Sequence, residues 1–239
     1  DMVRFSGGKL PAIIDSPFKA TRFSNGIFSF LIDVARQLGV KSGIRQLTAA
    51  IRACQIQGIY QKLLLTGIHP LEALDVLESG GKAEVNPPGV AYDRNDYAES
   101  LKVALLGYPY MIYDPFISSN LYQKLKDMGV DLVTPERITP GQMRRASRIL
   151  PQNFFWHYSN RVSWSSLHIL KDPGTVDGVI HVTAFACGPD AMVDKFVELE
   201  AKRAQIPFLT LTIDEHTGEG GIQTRLEAFV DMLWAKREN

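Results

Sequence analysis

The chain is poor in cysteine, with two thiols in 239 residues, at Cys54 and Cys187. Two cysteines make no disulfide framework in a chain of this length, so the fold must rest on a packed core. The expected setting is reducing and cytoplasmic. No apolar run approaches the roughly 18–20 residues of a membrane span, and no signal peptide is visible. Excess charge is also missing: lysine plus arginine equals aspartate plus glutamate, 26 each. No global field therefore draws the chain to nucleic acid or to an acidic membrane surface. Several motifs are absent as well. There is no C-x-x-C, no H-E-x-x-H, no P-loop and no G-x-G-x-x-G, so spacing alone points to neither a zinc site nor a dinucleotide fold.

What is present is the composition of a globular protein, 45% hydrophobic and 22% charged, enough to bury one sizeable core or two small ones. The first residues, DMVRFSGGK, have neither a basic leader nor an initiator methionine, which suggests a fragment of a longer protein. LPAIID (10–15) reads as a short strand and NGIFSFLIDVARQLG (25–39) as a helix stopped by Gly39. Ile44, Leu47, Ile51, Cys54 and Gly58 fall at steps of three, four, three and four, one stripe of a helix. Cys54 lies on that stripe and reads as a small buried apolar residue. HPLEALDVLESGG (69–81) is a third helix. GGKAEVNPPGVAYDRND (80–96), with its prolines and glycines, reads as a linker or surface loop. Residues 1–97 thus form a mainly helical segment, the remainder of a truncated preceding domain.

Past residue 98 the pattern changes. LKVALLGYPY (101–110), VDLVTP (130–135), VDGVIHVTAFA (176–186) and IPFLTLTID (206–214) are short apolar runs, as in strands buried on both faces. Helices are expected between and after them at 118–129, with a serine N-cap, and at 163–172, 188–203 and 220–237. Strands alternating with helices imply right-handed crossovers and a parallel sheet. Residues 98–239 are therefore a Rossmann-like α/β domain. The aromatic run NFFWHYSNR (153–161) reads as core.

In such a sheet, ligands collect at the carboxyl ends of the strands, here GYPYMIYD (107–114), the loop after Val133, AFACGPD (184–190) and DEHTGEGG (214–221). Cys187 ends the third strand, just before a helix whose free N–H groups and dipole stabilise a thiolate. It could serve as a metal or cluster ligand, a nucleophile or a redox thiol; equally, it could be a buried cysteine closing a strand. DEHTGEGG (214–221) offers Asp214, Glu215, His216 and Glu219 as ligands or acid–base groups, or else as a polar loop capping the next helix. Arg225, within TRLEAF, could hold a carboxylate or phosphate; equally, Arg225 and Glu227 could be two exposed charges of the last helix. GYPY suits a tight turn.

Together, "LLGYPYMIYDPFISSNLYQKLKDMGV", "HVTAFACGPDAMV", "PFLTLTIDEHTGEGGIQTRLEAFVDML" and "DMVRFSGGKLPAIID" resemble the 2-hydroxyacyl-CoA dehydratase-related proteins, above all their activase-related component. The likeness runs through most of the chain and is strongest from residue 101 to 233. It implies an iron–sulfur protein of anaerobic metabolism with a [4Fe–4S] cluster between Rossmann-like domains. An ATP-dependent activase would deliver a low-potential electron for transfer to a small substrate such as an acyl-CoA. Cys187 matches the cysteine expected to ligate the cluster from the later domain. Asp214, Glu215, His216, Thr224, Arg225 and Glu227 match other motif positions around the cofactor. The family's remaining cysteines lie upstream, and a cubane needs three or four thiolates. This chain alone is therefore expected to lack the cluster and to be inactive by itself. The alternative is a non-catalytic regulatory or ligand-binding module; a thiol enzyme with Cys187 as nucleophile and His216 or Glu219 as base is a third. A homo-oligomer is left open, and no nucleic acid or membrane partner is expected.

Overall fold

The computed structural model describes residues 25–79, 100–150, 152–171 and 174–238. The expected strand at 10–15, the loop at 80–96 and the boundary near residue 98 lie outside them. The chain divides into two compact units, residues 1–60 and 61–239.

In the first unit, helix α1 (Asn25–Gln37) stops before Gly39, whose φ of +83° is a left-handed helix end. Helix α2 (Gly43–Leu65) begins here and runs past the division. Its expected stripe is helical, yet Ile44 is 81% exposed and Cys54 only half-buried. Periodicity places residues on one face of a helix but does not supply what covers that face.

The second unit is α/β, as its alternating pattern requires. Strands β1 (Lys102–Gly107), β2 (Asp131–Val133), β3 (Gly178–Ala184) and β4 (Phe208–Ile213) form a sheet in the order β2-β1-β3-β4. Every pairing is parallel. β1 and β3 are buried almost throughout, which explains their continuous apolar runs. β4 is an edge strand with half-open residues. Helices α3 (Pro70–Glu78), α4 (Pro109–Tyr113), α5 (Leu121–Asp127), α6 (Pro140–Ser147), α7 (His157–Ile169), α8 (Gly188–Arg203) and α9 (Glu219–Arg237) complete the unit, with a 3₁₀ turn at Pro135–Arg137. α5 packs on α9 and α7 on α8, covering the sheet with two helical layers. Leu105, Leu106, Ile180, Val182, Val197, Leu226 and Leu233 lie at the centre of the core.

Three local expectations change. The N-cap of α5 is Asn120, in the left-handed region at φ 59°, while the Ser118 hydroxyl donates to the Asp114 carbonyl instead. GYPY is a helix start rather than a turn: Tyr108 is the N-cap and Pro109 the first residue of α4. Gly107 is required by space, since a Cβ there would sit 2.8 Å from the Val182 carbonyl oxygen. The run NFFWHYSNR is core only in part. Phe154 packs against the core, but Phe155 is 90% exposed, because residues 153–156 are a loop leading into α7 and not a periodic element.

No described helix is long and apolar enough to cross a membrane.

Candidate functional site

The strand order sets the position of a cleft. From β1 the chain goes outward to β2, then returns past β1 to β3. The loops after β1 and β3 therefore leave the sheet in opposite directions and part above it. Such a switch point is where open parallel sheets hold ligands.

Cys187 stands at this point. It is the N-cap residue of α8, half-buried, and its carbonyl accepts the Ala191 N–H at 2.9 Å. Its side chain makes no capping bond, so the sulfur is not consumed by the helix. The turn before it is tight: Phe185 N–H donates to the Ile213 carbonyl (2.9 Å) and Cys187 N–H to the Ala184 carbonyl (3.3 Å). Ala186 between them has φ +58°, a left-handed conformation unusual for a residue with a Cβ.

Phenols from two elements form the wall beside the thiol. Tyr108 is buried, and its hydroxyl is 2.8 Å from that of Ser159 in α7. Its ring lies 6.0 Å from Tyr110 and 5.7 Å from Tyr158. Burial raises the pKa of Tyr108, opposed by the Ser159 hydrogen bond and assisted by negative charge at Asp190 and Cys187. The same causes, burial first, raise Tyr110. Both phenols therefore keep their protons and can donate hydrogen bonds to a ligand oxygen. Phe185, 66% exposed, adds an apolar surface on the turn itself.

Next to this wall, at the ends of β1 and β2, a second polar group is packed. The Tyr113 hydroxyl donates to Glu136 Oε2 at 2.6 Å, and Arg161 lies 3.7 Å from Glu136 Oε1. Burial, then the Glu136 carboxylate, holds the Tyr113 phenol well above its ordinary pKa.

The other residues singled out in the sequence are placed differently. Asp214 closes its own loop: its carboxylate accepts the Thr217 hydroxyl (2.7 Å) and the His216 N–H (3.0 Å). Glu215 and His216 are exposed, 3.8 Å from each other. Glu219 pairs with Lys124 of α5 at 2.6 Å. Thr224 donates to the Gly220 carbonyl, and Glu227 accepts from Gln223. Arg225 donates to the Thr210 carbonyl at 2.5 Å, on the free edge of β4. There it lines an open groove of about 730 Å³ with Lys202, Phe208 and Lys236. Among the described residues, then, Asp214, Glu215, His216 and Arg225 bond to one another or to β4, and none bonds to Cys187.

Reading the sequence placed GYPYMIYD and the loop after Val133 at this edge but gave their tyrosines and Glu136 no role, and it missed Arg161 and a buried imidazole in β3, His181. The signal for the last was present: a histidine inside an apolar strand, followed on the next helix by Asp190 and Asp194 one turn apart.

A [4Fe–4S] cluster can be tested against these donors. Among the described residues no group of three or more His, Cys, Asp or Glu is placed to hold a metal ion. The whole chain has two cysteines, of which one stands at the cleft. The donor set fits one ligand of a cubane and not the complete set.

No curated protein matches the chain. A family model described as 2-hydroxyglutaryl-CoA dehydratase, D-component, matches residues 145–233. Over that stretch, which carries Cys187 and the second half of the sheet, the chain is similar to this dehydratase component.

Proposed function

We propose that the second unit is the Rossmann-like part of an iron–sulfur component of the 2-hydroxyacyl-CoA dehydratase type, in an activase-related protein. Cys187 supplies one thiolate to a [4Fe–4S] cluster, and the remaining ligands come from outside this chain's described residues. When bound, the cluster supplies low-potential electrons, received from an ATP-dependent activase, to a small substrate, an acyl-CoA thioester. The chain's own residues present the thiol and line the cleft. Tyr108 and Tyr110 remain protonated and donate toward a substrate oxygen. The exposed ring of Phe185 shields the turn from water.

The observation that supports this reading most is the place of Cys187: helix N-cap without a side-chain capping bond, switch point, inside the family-matched stretch. A helix N-terminus favours the thiolate that ligation needs. The count of two cysteines supports the second reading, a non-catalytic ligand-binding module.

Anaerobic expression of the full parent protein, wild type and Cys187→Ser, separates the two. Iron, sulfide and visible absorbance in the wild type, reduced in Cys187→Ser and bleached by activase with ATP, are the expected results. A colourless, iron-free wild type overturns the cluster reading. Iron unchanged in Cys187→Ser removes Cys187 from the ligand set.

A further inference from the structure

His181 is completely buried in the middle of the sheet, and its imidazole lies between two acids of α8. Nδ1 is 2.8 Å from Asp194 Oδ1, and Nε2 is 3.9 Å from Asp190 Oδ1. Asp194 Oδ1 also accepts the Thr210 hydroxyl at 2.9 Å, which marks it as a carboxylate acceptor, so Nδ1 carries a hydrogen. Asp190 is wholly buried too, and its Oδ2 accepts the Ala184 N–H at 3.0 Å. This leaves His181 Nε2 and Asp190 Oδ1, two buried atoms 3.9 Å apart, each without a hydrogen-bond partner among the described residues.

Polar atoms left bare in an apolar core are costly, and at 3.9 Å, beyond hydrogen-bond reach, a positive imidazole offsets that cost by its attraction to the Asp190 carboxylate. The place of the hydrogen follows from the surroundings. Asp190 is the third residue of α8, where the helix N-terminus favours an anion, and the Ala184 N–H favours the same form. The hydrogen belongs on Nε2.

We propose that His181 carries a hydrogen on both ring nitrogens and, as a buried cation between Asp194 and Asp190, is the positioning residue for the turn that presents Cys187. The contact with Asp190 is an ion pair at 3.9 Å, and Asp190 in turn ties Ala184, the residue where the turn begins. The turn needs this tie because Ala186 is held in the left-handed region, a conformation that persists only when its surroundings fix it. The line Thr210–Asp194–His181–Asp190–Ala184 thus links the middle of β4 to the residue three positions before the thiol. This holds whatever Cys187 binds and does not rest on the dehydratase reading.

Long-range ¹H–¹⁵N NMR on the labelled wild-type protein near neutral pH reads the two ring nitrogens directly. Both are expected in the protonated range, with a slowly exchanging hydrogen on Nε2. A bare Nε2 overturns the proposal, and this arm needs no variant. The second arm measures iodoacetamide labelling of Cys187 in Asp190→Asn and His181→Phe, each checked for folding by circular dichroism. Labelling is expected to accelerate by about tenfold, as for loss of one charge-assisted tie. In Asp190→Asn the His181 nitrogens are expected to change to a single N–H. A folded Asp190→Asn with unchanged labelling and an unchanged nitrogen spectrum overturns the positioning role. If neither variant folds, the wild-type nitrogen spectrum decides.

Discussion

The hydroxyls of Tyr108 and Ser159 lie 2.8 Å apart, joining the end of β1 to the first turn of α7 across 51 positions of sequence. Both residues are buried. Tyr108→Phe leaves the Ser159 hydroxyl without this partner and is expected to destabilise the protein by about 1–3 kcal/mol in denaturant unfolding. Ser159→Ala made on top of it adds little, because no orphan remains. Full additivity of the two changes would show that the bond does not couple them.

His69 is a pH-sensitive cap. Its Nδ1 accepts the Leu71 N–H at 3.2 Å at the start of α3, and its ring meets Tyr113 and Tyr122 edge-on. Burial lowers its pKa below 6.5, against a smaller opposing effect of Glu72. The unfolded chain therefore takes up the proton first. The stability is complete above pH 6.5 and is lost as pH falls from 6.5 through the lower folded value. Amide exchange at Leu71 is expected to quicken over that window. His69→Asn, a cap without a titrating group, is expected to abolish the pH dependence. Loss of the cap altogether, in His69→Ala, is expected to cost about 1 kcal/mol.

At Asp214 the sign is the other one. The Thr217 hydroxyl holds its carboxyl below the ordinary value of 3.8, opposed by desolvation and assisted in smaller measure by the His216 N–H. Its contribution to the loop is present above 3.8 and is lost as pH falls through the folded value. A carboxyl ¹³C titration is expected to give a midpoint under 3.8 that rises toward it in Thr217→Val. An unmoved midpoint would assign the shift to another cause.

Two glycines separate space from conformation. Gly107→Ala places a Cβ 2.8 Å from a backbone oxygen and 3.3 Å from Val182 Cβ, in the crowded join of β1 and β3. It is expected to cost about 1–3 kcal/mol through overpacking. Gly129→Ala meets nothing within 4 Å, but φ there is +74°. Its cost is expected to be about 1–2 kcal/mol, from the left-handed backbone alone. Thermal unfolding of Gly129→Asn, which tolerates that region, is expected to recover part of the loss.

The sheet was legible because β1, β3 and β4 are apolar runs set between helices, a pattern that few other folds produce. Helix α7 was harder. Its expected start at 163 is His157 in the structure, and its buried residues mix Ser159, Ser163, Ser165 and Ser166 with Val162, Leu167 and Ile169. Serines on a closely packed helix, three of them bonding back to carbonyls of the preceding turn, carry no apolar period to read. Cys187 was found because it ends a strand and opens a helix. DEHTGEGG could be read two ways, because a turn built on Asp214 uses the same residue types as an acid–base site. His181 was passed over for the opposite reason: a single histidine within an apolar strand draws attention only when read with the acids of the helix that follows.

The position of β1 between β2 and β3 matters before the protein is finished. During synthesis β1 emerges first among the described strands, yet its neighbour on one side is not made until Gly178, and the Lys102 N–H waits for the Asp177 side chain, 75 positions later. Until then this inner strand of the sheet, apolar on both faces, lacks its β3 flank. A ribosome paused in α7 therefore holds a nascent chain with LKVALLG unprotected, the point at which a holding chaperone would be needed most.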